Sequence, residues 1–153
     1  MEVVDKARME DIEFISELYF FVAEGKALTA NPARMDEMYV KYAGKTEAEI
    51  ADIEAEVLKV TSFLDSLGLG YQAHRIGGVS HLYGLFALSK HCLDNAVSAS
   101  TVTPALDEFY GKLRSQEFGN DDIAAYKASM SSRTKEANSR RNRKDALIAF
   151  CGV

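Results

Sequence analysis

The sequence predicts an all-α fold with six to seven helices, arranged as a mostly antiparallel, bundle-like single domain over residues 1–153. Apolar residues recur three and four positions apart along most of the chain, which is the spacing of a helix face. N-cap sequences stand before several of these segments. No stretch alternates apolar and polar residues as a half-exposed strand does. The short connections between segments favour helices that pack side by side.

The first two helices have recognisable ends. Helical spacing predicts the first from about Met9 to Glu24, with Gly25 ending it. Asn31-Pro32 predicts the start of the second, because asparagine is a favourable N-cap and proline suits the first helical position. Gly44 is the expected end of that helix.

The middle of the chain predicts two more helices around a loop. Thr46-Glu47-Ala48-Glu49 matches a capping box, so a long helix is expected from there to about Leu67. Its length makes it the expected spine of the domain. Residues 68–79 contain four glycines and predict a loop, after which Ser80 is expected to cap a very apolar helix through Leu93.

The C-terminal third begins with a predicted linker over residues 96–103, which are small and β-branched. Thr103-Pro104 repeats the cap-and-proline pattern and predicts the start of the fifth helix. Asn120-Asp121 predicts another start. The final helix is expected from about Lys135 to Phe150.

Composition bounds the class of protein. Hydrophobic residues make up 47% and charged residues 27%, a globular balance. The acidic start of the chain lacks the apolar stretch of an export signal, and the apolar segment from Val79 to Leu93 is too short to cross a bilayer. We therefore expect a cytoplasmic protein without a membrane span, in which Cys92 and Cys151 are reduced core residues.

No sequence motif predicts a cofactor or a metal. Gly68-x-Gly70-x-x-Ala73 fits the loose dinucleotide fingerprint, but it follows a predicted helix where the fingerprint requires a strand, so a helix cap and loop is the better interpretation. His81 and His91 are ten residues apart, too far for two ligands of one metal on a single helix. Both are expected to be hydrogen-bonded or exposed.

Two weaker patterns leave alternatives open. Glu13 and Glu17 lie one helical turn apart, as a carboxylate site requires, but acidic residues near a helix start also complement its dipole. No Glu-x-x-His motif completes a di-metal site. The second pattern is a group of aromatic and histidine side chains around the glycine-containing loop, which either line a ligand pocket or close the core. The group comprises Tyr71, His74, His81 and Tyr83.

The clearest polar feature is basic and lies near the C-terminus. Residues 133–153 hold six basic and two acidic side chains, against 12 and 21 in the rest of the chain. These cations either bind phosphate groups or pair with the acidic body and dock the last helix, and the negative net charge favours docking. They are the predicted binding residues for a partner or nucleic acid: Arg133, Lys135, Arg140, Arg141, Arg143 and Lys144.

Four stretches in order resemble the helical C-terminal part of the family called domain of unknown function 262, related to GmrSD-type restriction systems. They are Arg8-Met9-x-Asp11-x-Glu13-Phe14-Ile15-Ser16-Glu17-Leu18, Tyr39-x-x-Tyr42, Tyr83-x-Leu85-Phe86-Ala87 and Asn138-x-Arg140-Arg141-x-Arg143-x-x-x-Leu147. The resemblance implies an N-terminal ParB-like domain linked to nuclease activity in full members. Neither its Asp-Gly-Gln-Gln-Arg type motif nor an HNH motif occurs in this sequence.

The resemblance therefore implies an accessory helical module and transfers no catalytic residue. Together with the lack of a catalytic motif, it predicts a non-catalytic module of a bacterial defence or DNA-processing protein, resembling modification-dependent restriction systems. The expected partner is a protein or a neighbouring nuclease domain. The alternative is a nucleic-acid-binding helical domain that uses the basic C-terminal helix.

Overall fold

A computed structural model describes residues 2–153, with side chains from Glu10 onward. The absence of an export signal was predicted on Met1 to Lys6, whose side chains lie outside the described residues. Over the described backbone the chain forms seven helices and no strand, so the predicted all-α class is confirmed. The helices are α1 (Glu2–Glu24), α2 (Pro32–Ala43), α3 (Glu47–Ser66), α4 (Val79–Asp94), α5 (Ala99–Arg114), α6 (Asp121–Ser129) and α7 (Ala137–Cys151).

Three predicted helix starts are confirmed by their caps. The Asn31 side chain accepts the Arg34 N–H at 2.9 Å, with Pro32 in the first helical position. Both halves of the capping box are formed at α3, between Thr46 and Glu49. Asn120 caps α6 by accepting two backbone N–H groups. Each cap satisfies amides that have no partner inside the helix.

Two of the first four helices begin earlier than predicted. α1 starts at Glu2 and not near Met9. Its first turns contain no glycine or proline, so the helix extends beyond the apolar stripe from which its start was predicted. α4 starts at Val79, because Gly78 takes a φ of 81° that ends the preceding loop there. Ser80 is therefore inside α4 and does not cap it.

The prediction for the start of α5 is wrong, because residues 99–103 are helical and Pro104 lies inside the helix. Proline removes the N–H that would bond the Ser100 carbonyl, but Ser100 is exposed and its carbonyl can bond water. The Thr103 hydroxyl donates to the carbonyls of Ala99 and Leu67, each at 2.9 Å. This bond ties the start of α5 to the end of α3.

The central helix is α4, not the longer α3. Nine residues of α4 are buried, and it packs against α1, α3 and α7. Only Val57 and Val60 are buried in α3, whose other faces are rich in charge, so the prediction that α3 is the spine is wrong. α7 packs against α4, α5 and α6. Cys92 is a free thiol within the core and Cys151 is a free thiol packed against it, and burial raises the pKa of Cys151 to about 12.

Candidate functional site

Arg140 on α7 is held inside the protein, with only 3% of its surface exposed. Its Nη1 donates to the Leu28 carbonyl at 2.9 Å and its Nη2 donates to the Glu17 carboxylate. The guanidinium carbon lies 3.9 Å from the centre of the Tyr83 ring. A carboxylate, a carbonyl and an aromatic face thus compensate the buried charge.

Arg143, one turn later, is fully buried and bonds carbonyls, not a carboxylate. Its Nη2 donates to the Ser129 and Thr134 carbonyls at 3.0 and 3.1 Å, and its Nη1 donates to Ser80 at 3.2 Å. Ser129 ends α6, where carbonyls lack helical partners, so Arg143 closes the connection between α6 and α7. Burial lowers its pKa. Pairing with the acidic body therefore describes Arg140 but not Arg143.

The structure separates the six predicted binding residues into two groups. The guanidinium groups of Arg140 and Arg143 are engaged inside the fold. The other four, Arg133, Lys135, Arg141 and Lys144, keep exposed or partly exposed side chains. Their nearest polar partners are Glu136, Glu17, Asn138 and Asp145, respectively.

α7 starts at Ala137, two residues after the predicted Lys135, and Ala137 donates to the Thr29 hydroxyl at 3.0 Å.

A polar cleft of about 520 Å³ lies between the 67–78 loop, α5 and α6. His81, in the first turn of α4, forms its floor and is 8% exposed. Its Nδ1 lies 2.7 Å from the Tyr126 hydroxyl, which lies 3.2 Å from the Tyr110 hydroxyl. Burial, then Arg114 and Arg143, lower the pKa of His81 to about 4, so the ring is neutral at pH 7.

The tautomer of His81 follows from its neighbours. Arg114 can only donate, and its Nη2 lies 3.4 Å from His81 Nε2, so Nε2 is the acceptor. The ring proton is then on Nδ1 and is donated to Tyr126. Arg114 also donates from Nε to the His74 carbonyl at 2.7 Å and from Nη2 to the Arg75 carbonyl at 2.8 Å. One arginine thereby fixes both the loop and the histidine.

The predicted pocket around the glycine-containing loop is corrected in its lining. Of the four residues proposed for it, only His81 lines the cleft. His74 Nε2 lies 2.9 Å from the Asp107 carboxylate, Tyr71 packs against the core and Tyr83 lies beneath Arg140. Gly68, with a φ of 61°, follows the end of α3, as the cap interpretation of the glycine motif expects.

The two carboxylates one turn apart on α1 have separate environments. Glu17 is buried against Arg140, whereas Glu13 is half-buried at the surface. Among the residues whose side chains are described, no group of three or more His, Cys, Asp or Glu could hold a metal ion.

A second candidate surface is an apolar groove between α1, α2 and α3. It has a volume of about 260 Å³ and shares Tyr39 with a neighbouring hollow of about 330 Å³, which Ile12 lines. Ile12 and Ile15 are 56% and 53% exposed, although they recur at helical spacing with Leu18 and Val22 of the same helix. Its remaining apolar lining is formed mainly by Tyr19, Phe20, Ala23, Tyr39, Tyr42, Ile50 and Ile53.

The groove lies in the most acidic part of the chain. Residues 10–66, which cover most of α1 and all of α2 and α3, hold 13 acidic and five basic side chains. Glu13 and Asp36 line the hollow itself. Burial and then the nearby Glu54 raise the pKa of Tyr19 in the groove wall. The groove therefore combines exposed apolar side chains with a negative surround.

Sequence reasoning missed the groove, and at the predicted pocket it missed the cations that line the cleft. The apolar stripe of α1 was a signal for the groove, because it includes Ile12 and Ile15, which the fold leaves exposed. Over the described part of the chain, no helix is long and apolar enough to cross a membrane.

No protein-family model, curated protein or solved structure matches the chain.

Proposed function

We propose that this chain is a non-catalytic helical module that binds a protein partner through the groove between α1, α2 and α3. The observation that carries the proposal is the exposure of Ile12 and Ile15 beside a preformed apolar hollow. Contiguous exposed apolar surface with a polar rim is typical of protein interaction sites. Isolated exposed apolar residues, such as Leu58 on α3, are ordinary and carry no such meaning.

The occupant that fits best is an amphipathic helix with an apolar stripe and basic flanks. Helical partners commonly place apolar residues at helical spacing into such grooves. The excess of eight negative charges over residues 10–66 favours a cationic flank and opposes a second copy of this chain, which would bring the same acidic rim.

A fluorescence anisotropy titration with a labelled Leu/Lys amphipathic peptide of about 18 residues, roughly five helical turns, tests the proposal. Ile15→Ser and Tyr39→Ser should each weaken binding about tenfold, because each removes apolar contact area. Leu58→Ser is the matched control: Leu58 is 60% exposed but lies outside the groove, so its loss should leave affinity unchanged.

Three outcomes would contradict the proposal. They are equal weakening by the control, no effect of either groove variant, or equal binding of a Leu/Glu peptide. Sedimentation velocity tests the remaining alternative, in which a second copy of this chain occupies the groove. A dimer that dissociates in the Ile15→Ser variant would identify that second copy.

The family resemblance suggests the setting of this module. We propose a cytoplasmic bacterial defence or DNA-processing protein, similar to modification-dependent restriction systems, in which the module positions a nuclease domain. The purified chain should then neither cut DNA nor hydrolyse nucleotide. Activity that co-purifies with the chain and disappears on substitution of one of its own Arg or Glu residues would contradict this.

Nucleic-acid binding is the second candidate, with Arg133, Lys135, Arg141 and Lys144 as its exposed cations. Arg141 favours it, because its side chain is exposed and bonds the amide of Asn138 instead of a carboxylate. Binding through phosphates should weaken steeply with salt, and Arg141→Gln should reduce that salt dependence. A low-salt titration with duplex and single-stranded DNA that gives no binding would eliminate this candidate.

A further inference from the structure

We propose that the cleft between the 67–78 loop, α5 and α6 binds a small phosphate monoester, with the phosphate among Arg75, Arg114 and Lys127. This site is separate from the groove of the proposed function and does not depend on it. Residues between Arg75 and Met130 line the cleft, whereas residues between Ile15 and Ile53 line the groove, so the two sites share no residue.

The charge of the cleft is uncompensated. Arg75, Arg114 and Lys127 line it, together with uncharged His81 and no acidic residue. Among the described side chains, no carboxylate oxygen lies within 4.0 Å of a nitrogen of these three cations. In a chain with a net charge of −5, three cations that line one cleft without acidic partners favour an anionic ligand.

The polar floor of the cleft is held by contacts within the protein that do not require a ligand. Arg114 donates to two carbonyls of the 67–78 loop, so its guanidinium is fixed in place with the loop. His81 is stacked on Tyr126 with ring centres 5.7 Å apart and is hydrogen-bonded to it. A donor held by such contacts binds an anion with little loss of side-chain freedom. Because Nε and Nη2 of Arg114 bond the loop carbonyls and His81, Nη1 is the nitrogen of this guanidinium that faces a phosphate oxygen in the proposal.

The remaining lining indicates what the phosphate is attached to. Leu113, Phe118 and Met130 give the cleft an apolar wall beside the Tyr126 ring. Phe118 is partly exposed at the rim. A volume of about 520 Å³ falls within the range of small-molecule pockets, roughly 300 to 1,000 Å³. An aromatic or apolar group esterified to phosphate fits this division between cations and apolar wall.

A competing explanation for the cations of the cleft is that they stabilise helix dipoles. Arg114 and Lys127 lie in the last turns of α5 and α6, where a cation is stabilising without any ligand. That explanation does not include Arg75, which is on the loop with a φ of 52°. It also predicts that removing Lys127 lowers stability without changing affinity for an anion, which makes the two accounts separable.

Titration of the intact chain with phenyl phosphate, followed by calorimetry and by NMR chemical shifts, tests the site. Lys127→Gln and Arg75→Gln should each weaken binding about tenfold, because each removes one charge-assisted contact. Lys59→Gln is the matched control: this exposed lysine of α3 lies outside the cleft, and its loss should leave binding unchanged. Phenyl phosphate should bind about tenfold more tightly than inorganic phosphate.

The proposal is overturned if phenyl phosphate shows no saturable binding, if phenol binds as tightly as phenyl phosphate, or if Lys59→Gln weakens binding as much as Lys127→Gln. Thermal melts of each variant identify any loss of folding. A lower melting temperature of Lys127→Gln with unchanged affinity would support the dipole account and also overturn the proposal.

Discussion

His81 should make the folded state sensitive to acid. Its pKa lies at about 4 in the folded protein against about 6.5 in an unfolded chain. The unfolded chain therefore binds more protons between these pH values, and stability falls as the pH falls through the window from about 6.5 to 4. Each unit of pKa difference corresponds to about 1.4 kcal/mol, so the difference of about 2.5 units sets an upper limit of about 3.4 kcal/mol on the loss of stability. Because the ring borders an open cleft, we expect about 1 to 3 kcal/mol.

Urea unfolding of the wild type and of His81→Asn, at pH 7 and pH 4, measures this loss. The asparagine retains a hydrogen-bond donor but does not titrate. Its stability should therefore fall less between the two pH values than that of the wild type, by about 1 to 3 kcal/mol. His74→Asn is the control, because His74 bonds the exposed Asp107 outside the cleft. An equal acid-side loss in the wild type and His81→Asn would refute the reasoning.

Three further substitutions test the packing around α7 and one strained position. Glu17→Gln leaves the buried Arg140 without its anion and should cost about 3 to 5 kcal/mol in urea unfolding. Gly84→Ala would place a Cβ 3.1 Å from Cδ of Arg143 and should cost about 1 to 3 kcal/mol by the same measurement. Ala96→Gly relieves a φ of 56° and should raise stability by about 0.5 to 1 kcal/mol in thermal melts.

Each of these substitutions has a matched control. Glu13→Gln, at the half-buried glutamate one turn before Glu17, should change stability little. Gly111→Ala, at a glycine of α5 with open space around it, should stabilise by up to about 1 kcal/mol. Ala55→Gly, at an exposed interior position of α3, should destabilise by about 1 kcal/mol. Effects of the same sign within any pair would contradict the explanation given for that pair, except that a small loss for Glu13→Gln is allowed.

Helix ends were predictable where the cap is local in sequence. Asn31, Thr46 and Asn120 each bond an amide within three residues, so a short motif determines the result. Thr103 has the same motif but bonds the Leu67 carbonyl, 36 residues away in sequence, as well as Ala99 in its own helix. A threonine with partners of this kind does not mark a helix start, and a window of sequence around it cannot reveal the distant partner.

The inward orientation of two arginines had a signal in the sequence. Arg140, Arg143, Leu147 and Phe150 recur at intervals of three and four, so the two cations continue the apolar stripe of α7. What could not be predicted is how each charge is satisfied. The groups involved come from α1, the connection after it, α4 and the end of α6, and only the folded chain brings them together.

The cleft and the groove were harder to predict than the helices, because each is formed by residues from separate segments that only folding brings together. Arg75, Arg114 and Lys127 come from a loop and two helices, and each is an ordinary surface residue in its own segment. Their convergence depends on how α5 and α6 pack, for which the helix periodicity contains no information. The negative charge of α1 to α3, by contrast, could be obtained from the sequence by counting acidic and basic residues.

The central claim is that the chain acts by binding a partner in the groove between α1, α2 and α3. Methyl and aromatic NMR spectra of the intact chain, recorded during titration with the Leu/Lys peptide, test it most directly. The account predicts saturable shift changes at Ile12, Ile15, Tyr39, Ile50 and Ile53, with Leu58 unchanged. Shifts that spread evenly over the acidic surface, or that centre on the cleft around His81, would contradict it.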